Sequence, residues 1–262
     1  MSRNKQRTAA ATDAVAATAP TTPTAPGSLS YVTPTEFVEL PSRGQFYPTD
    51  HPLHGKDVIE MRFMTAKDED ILTSPALLKK GVAIDRLLQN LVVDSNVNPN
   101  NLLIGDKNAM LLAARISGYG EEYPVALQCN SCGETIEHQF NLSELELDHG
   151  TQPEGDNSVS LTERGTFVAE LPKTKFSAEF RLLTGEDETY LQQSLEKLKK
   201  YNLPEASATN LLKRLVVSVN GVEVPSDISN FIDNMPAQDA RFLRACVQVV
   251  TPNINMSQEV EC

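Results

Sequence analysis

The most constraining feature of this 262-residue chain is a recurrence. Arg62, Thr65, Asp68 and Glu69 return as Arg181, Thr184, Asp187 and Glu188, each 119 positions later. Leu87–Val93 returns as Leu211–Val217 at an offset of 124, and Leu111–Ile116 as Phe242–Val247 at 131. A growing offset means longer loops in the second copy, where insertions are tolerated. A chain built this way is expected to fold as two copies of one unit.

Each copy reads as mixed. Val58, Glu60 and Arg62 alternate with Ile59, Met61 and Phe63, the period of a strand. Thr65 is a helix N-cap with Asp68 at the capping-box position. Acidic Asp68, Glu69 and Asp70 suit the first turn of a helix through the dipole, without catalytic or magnesium-binding chemistry. Ala83–Val93 places Leu87, Leu88, Leu91 and Val92 on one face. A third helix runs from Ile104 or Asp106 to Ile116 and stops at Ser117-Gly118-Tyr119-Gly120. Further strands are expected at 161–162, 166–171 and 173–180, extending the sheet that carries the cysteine turn, with Pro172 at a bend or edge. The expected class is α+β: duplicated helical units with small antiparallel sheets.

Two strand-like runs, Tyr123–Gln128 and Thr135–Phe140, flank Cys129-Asn130-Ser131-Cys132-Gly133. A CxxC turn ending in glycine supplies half of a tetrahedral zinc site. A redox CxxC would instead open a helix after a strand. Continuing the repeat places Pro124–Cys129 over Ser257–Cys262, at an offset of 133. Cys262 thus stands where Cys129 stands, and its CxxC partner would fall three residues beyond it. The metal ligands expected are Cys129, Cys132 and Cys262, around a structural zinc whose fourth ligand lies past Cys262. Cys246 falls on an apolar helix face and reads as core. His138 reads as a surface residue, and His51-Pro52-Leu53-His54 as a loop.

The division expected is a disordered tail over 1–29, an extended arm over 30–56, a first repeat with its CxxC turn over 57–146, a connector over 147–158 and a second repeat over 159–262. The tail is rich in Ala, Thr and Pro and has too little apolar surface to order alone. In the arm, Pro41 and Pro48 oppose helix and Gly44 permits positive φ. Leu40, Pro41, Phe46 and Tyr47 are candidate partner-binding residues; the alternative is that these aromatics cap the protein's own core.

Charge narrows the functional classes. Net charge is −12; Arg3, Lys5 and Arg7 against Asp13 make the first 30 residues +2 and leave −14 on the rest. Such a body does not suit phosphate-backbone binding, so a zinc-ribbon nucleic-acid binder is disfavoured. No run approaches the ~18 apolar residues of a membrane span. No nucleophile–base pair or phosphate-cradling glycine loop stands out, so neither an enzyme nor a small-molecule substrate is expected.

Leu40-Pro41-Ser42-Arg43-Gly44-Gln45-Phe46-Tyr47-Pro48, Met64–Leu72, Gly105-Asp106-Lys107, Arg115–Gly120 and Cys129-x-x-Cys132-Gly133, in this order, resemble the T4-type bacteriophage baseplate hub family from about residue 36 onward. The resemblance implies a structural hub component of a contractile-tailed phage that scaffolds tail assembly among other baseplate and tail proteins. It would be made in the host cytoplasm and located in the virion. It also implies a second CxxC near the C-terminus, where this chain has only Cys262. The alternative is a transient hub-assembly chaperone absent from the finished particle.

Overall fold

The computed structural model describes residues 32–129, 131–150, 159–201 and 207–258. The tail expected over 1–29, most of the expected connector and Cys262 lie outside these residues. The body from Pro34 onward is one compact unit.

It opens with β1 (Thr35–Glu39), antiparallel to β2 (Val58–Arg62), with Val38 opposite Ile59. Residues read as the start of an arm are therefore a strand. Ile59 and Met61 are buried while Val58 is exposed, as alternation requires. Then follow α1 (Ala66–Thr73), the short α2 (Pro75–Lys79), α3 (Ala83–Leu91) and α4 (Ile104–Tyr119). Leu87, Leu88 and Leu91 form the buried stripe of α3. Gly120, at φ +84°, ends α4.

β3 (Glu122–Gln128) and β4 (Thr135–Asn141) form a separate two-stranded hairpin. β5 (Leu147–Asp148) pairs with β10 (Asn253–Ile254), so part of the expected connector is structured. β6 (Val159–Leu161), β7 (Phe167–Glu170), β8 (Ser177–Phe180) and β9 (Val216–Val219) form an antiparallel sheet in that order. The expectation that these strands extend the hairpin's sheet is corrected here. Phe167, Ala169, Ala178 and Phe180 turn one buried face to the core, and that inward face fixes the pairing. Lys175 takes φ +58° in the turn after Pro172, so β8 begins at Ser177 rather than Lys173.

α5 (Gly185–Lys200) and α6 (Ser207–Leu215) lie between β8 and β9; α7 (Pro225–Asn234) and α8 (Ala237–Val250) follow. One continuous hydrophobic core runs from Leu40, Met61, Leu88 and Met110 to Phe167, Phe180, Leu212 and Leu243. Backbone bonds from Ile104 to Leu183 and from Gly185 to Leu102 tie the approach to α4 to the approach to α5. Lys107, buried on α4, lies 2.9 Å from Asp85 on α3 and 3.5 Å from Glu188 on α5.

Candidate metal turn and partner surface

The sequence-predicted site residues fall in two places. Cys129 and Cys132 lie at the tip of the β3–β4 hairpin, Cys129 half-buried and Cys132 exposed. The turn is closed by backbone bonds from Cys129 to Glu134 (2.9 Å) and from Gly133 to Cys129 (2.8 Å), with Gly133 at φ +75°. The Ser131 N–H points at Cys129 Sγ (3.4 Å). The turn thus fits one half of a sulfur-ligated site. Among the described residues no three His, Cys, Asp or Glu side chains converge on one point. His138 packs edge-on to Phe140, with ring centroids 4.5 Å apart, and stands opposite Val125, away from the tip. Cys246 is buried in α8, and burial pushes its thiol up to about 11, which suits a core residue.

The arm residues are packed inward. Leu40, Pro41 and Tyr47 are buried, and Phe46 is half-buried with its ring 5.3 Å from Phe167. Of the two roles open to these aromatics, the packing satisfies the core-capping one. Docking through Leu40 or Tyr47 would require the arm to leave this core.

Asp106, fully buried at the third position of α4, holds the arm's turn. Its carboxylate accepts from Ser42 N–H (2.9 Å), Ser42 Oγ (2.5 Å) and Tyr47 OH (2.7 Å), and Tyr47 Oη in turn accepts from Leu103 N–H (3.0 Å). Burial raises the Asp106 carboxyl above the usual range, against the pull of the Ser42 and Tyr47 bonds. Burial likewise raises the Tyr47 phenol, with the Asp106 charge adding to it, and lowers His51, which stacks on Tyr47. A serine, a histidine and an aspartate near one another suggest nucleophilic chemistry. Here the hydroxyls are spent on the carboxylate and Ser42 is sealed from solvent, so the cluster is a clasp. Gly44, at φ +67°, completes the turn, and a Cβ there would strike the Leu53 carbonyl. Arg43 Nη2 lies 2.8 Å from His149 Nε2, while His149 Nδ1 meets the Pro41 carbonyl at 2.9 Å.

Sequence reasoning missed that four aspartates are buried at one helical position. Asp68, Asp106, Asp187 and Asp239 are each the third residue of a helix and each at most 2% exposed. Asp239 accepts the N–H groups of Lys173 (2.7 Å) and Thr174 (3.0 Å). Asp68 takes Arg62 bidentately (2.6 and 2.9 Å) as well as Thr65 N–H and Oγ1. Asp187 takes Arg181 (2.6 and 2.8 Å) and Thr184 in the same way. The first-turn position of Asp68 was legible; the burial was not, because it depends on distant partners: an arginine at Asp68 and Asp187, and the groups of a remote turn at Asp106 and Asp239.

No curated protein and no solved structure matches the chain significantly. The family model described as T4 bacteriophage base plate protein matches residues 34–262, the whole of the compact body, and the chain belongs to that family.

Proposed function

We propose that this baseplate protein is a hub component that scaffolds tail assembly in a contractile-tailed phage, built as two copies of one unit and stapled by structural zinc. The carrying observation is that the family match covers the entire compact body, so no separate domain within it is left over for another activity. Support for the duplication comes from bonds that recur at the repeat's offsets. Met61 bridges Val92 as Phe180 pairs with Val216, at offsets of 119 and 124. Support for zinc comes from the Cys129–Cys132 turn, with Cys262 the third ligand by the repeat's register. A rigid body of this kind contributes fixed surfaces to neighbouring tail proteins.

Mass spectrometry of purified phage particles tests the role. A hub component is found in the mature tail at fixed stoichiometry. Its absence from the particle, with tails failing to form when the gene is deleted, would establish the transient assembly factor instead. Metal analysis of the purified protein tests the staple: bound zinc that Cys129→Ser or Cys262→Ser releases is expected, and metal-free protein with an unchanged melting curve would remove it.

A further inference from the structure

The β3–β4 hairpin is a two-sided object. Pairing Tyr123 with Phe140, Val125 with His138 and Leu127 with Ile136 puts the large apolar side chains, with His138, on one face. Glu122, Gln128, Thr135, Glu137 and Gln139 lie on the other, with the smaller Pro124 and Ala126 between them. No described residue of the hairpin is fully buried. A lone two-stranded hairpin is marginal in water and needs a surface to lie on. Beside its base runs a groove of about 480 Å³, with Leu111 and Leu112 of α4, Tyr123 and Phe140 of the hairpin, and Ile254 and Met256 of the C-terminal segment on its walls. Met256 is 68% exposed.

The surroundings are of one sign. Residues 121–148 contain seven carboxylates and neither Lys nor Arg. Of these, Glu121, Glu144 and Glu146 are exposed next to groove-wall residues or their immediate neighbours. The groove's cation, Arg115, already lies over the Tyr119 and Tyr123 rings and donates to the Gly120 carbonyl. An apolar floor with an acidic rim selects by burial for apolar side chains and by charge for a basic partner. A second copy of this body would bring −14 to the same place.

We infer that the groove between α4, the hairpin base and residues 254–258 receives an amphipathic segment of a neighbouring tail protein, with apolar side chains on one side and Lys or Arg on the other. This rests on the scaffold reading for the existence of a neighbour. Apolar burial holds the segment, and the rim orients and selects it.

The test replaces Met256 with the photocrosslinker p-benzoylphenylalanine in full-length protein supplied to a phage lacking its own copy. A matched probe replaces Phe37, which is 70% exposed on β1. Expected is a Met256 crosslink to an identified segment of another tail protein that interleaves apolar residues with at least two Lys or Arg. The triple reversal Glu121→Lys, Glu144→Lys and Glu146→Lys should cut that crosslink and phage titre at least ten-fold, with an unchanged melting curve. A crosslink to this chain itself, to a second copy or to an acidic segment overturns the inference, as does a wild-type titre in the triple variant. Capture at 37 with none at 256 overturns the groove and leaves the scaffold reading standing; capture at neither site overturns both.

Discussion

Two corners of the molecule solve one problem with different reserves. At each, a strand delivers an arginine to an aspartate buried at the start of a helix, and a threonine closes the capping box. The Arg62–Asp68 corner has a single cation, with Asn90 Nδ2 a distant 3.5 Å from Asp68. The Arg181–Asp187 corner has a second: Arg214 Nε lies 3.0 Å from Asp187, outside hydrogen-bond geometry, with its guanidinium 4.4 Å over Tyr190. Residues 90 and 214 are 124 positions apart, the offset of the surrounding helices. The Arg62 bonds are the largest influence holding the Asp68 carboxyl well below the usual range. Asp187 is also held low: burial is the largest influence and would raise it, but the Arg181 and Thr184 bonds and both arginine charges outweigh it. A buried anion with one partner is a single point of failure, whereas one with two is buffered.

The clasped turns differ too. Asp106 is satisfied partly by side-chain hydroxyls from an 18-residue excursion between β1 and β2, whereas Asp239 is satisfied by backbone N–H groups of a short turn. The largest expected effect breaks that contrast. Tyr47→Ala removes a buried aromatic and two hydrogen bonds, and should cost about 4 kcal/mol in urea denaturation. Next, Arg62→Ala strands Asp68 and should cost about 3 kcal/mol, while Arg181→Ala, with Arg214 still present, should cost about 1 kcal/mol. In an Arg214→Asn background the Arg181 cost should climb toward the Arg62 value; equal costs in the wild-type background would erase the distinction between the corners.

pH separates the corners from the Asp106 clasp. Asp68 and Asp187 have folded pKa values below the unfolded value of about 3.9, so their contribution is present above that pH and lost as pH falls through the folded values. Asp106 is raised, so its contribution is full below about 3.9 and lost as pH rises through its folded pKa. The stability advantage of wild type over Asp106→Asn should therefore shrink as pH rises above about 4, measured by thermal melts over a pH series. The smallest effect belongs to Thr174, whose buried Oγ1 lacks a hydrogen-bond partner. Thr174→Ala should move stability by less than about 0.5 kcal/mol, in contrast to Tyr47→Ala at the other turn.

What the chain reveals in advance follows the range of the interaction. β2, α1, α3, α4 and the hairpin were legible because period, caps and terminal glycines are local. Three strands of the four-stranded sheet were legible in the same way, but its fourth, β9, was not, because it joins β8 only after α5 and α6 intervene. α7 went unread although Pro225 stands at its first position, a known start signal. The arm's aromatics were legible as anchors but not as anchors to Phe167, since extended apolar residues look the same whether they cover a neighbour or the chain itself. At the cysteine turn the geometry was legible through Gly133, while Cys262 lies outside the described residues.

The β5–β10 pairing bears on the order in which the protein can be built. Gly105 is pressed so closely on residues 252–253 that a Cβ would strike the Pro252 carbonyl, and Asn108 bonds Asn253 at 3.1 Å. α4 is synthesised well before the strand that covers it. A chain emerging from the ribosome therefore carries the helix with this flank open until residue 254 is free, and such long-range closure is slow compared with forming the helices. β10 therefore closes this flank of α4 only late in synthesis, so that the helix reaches its final packing after most of the chain has been made.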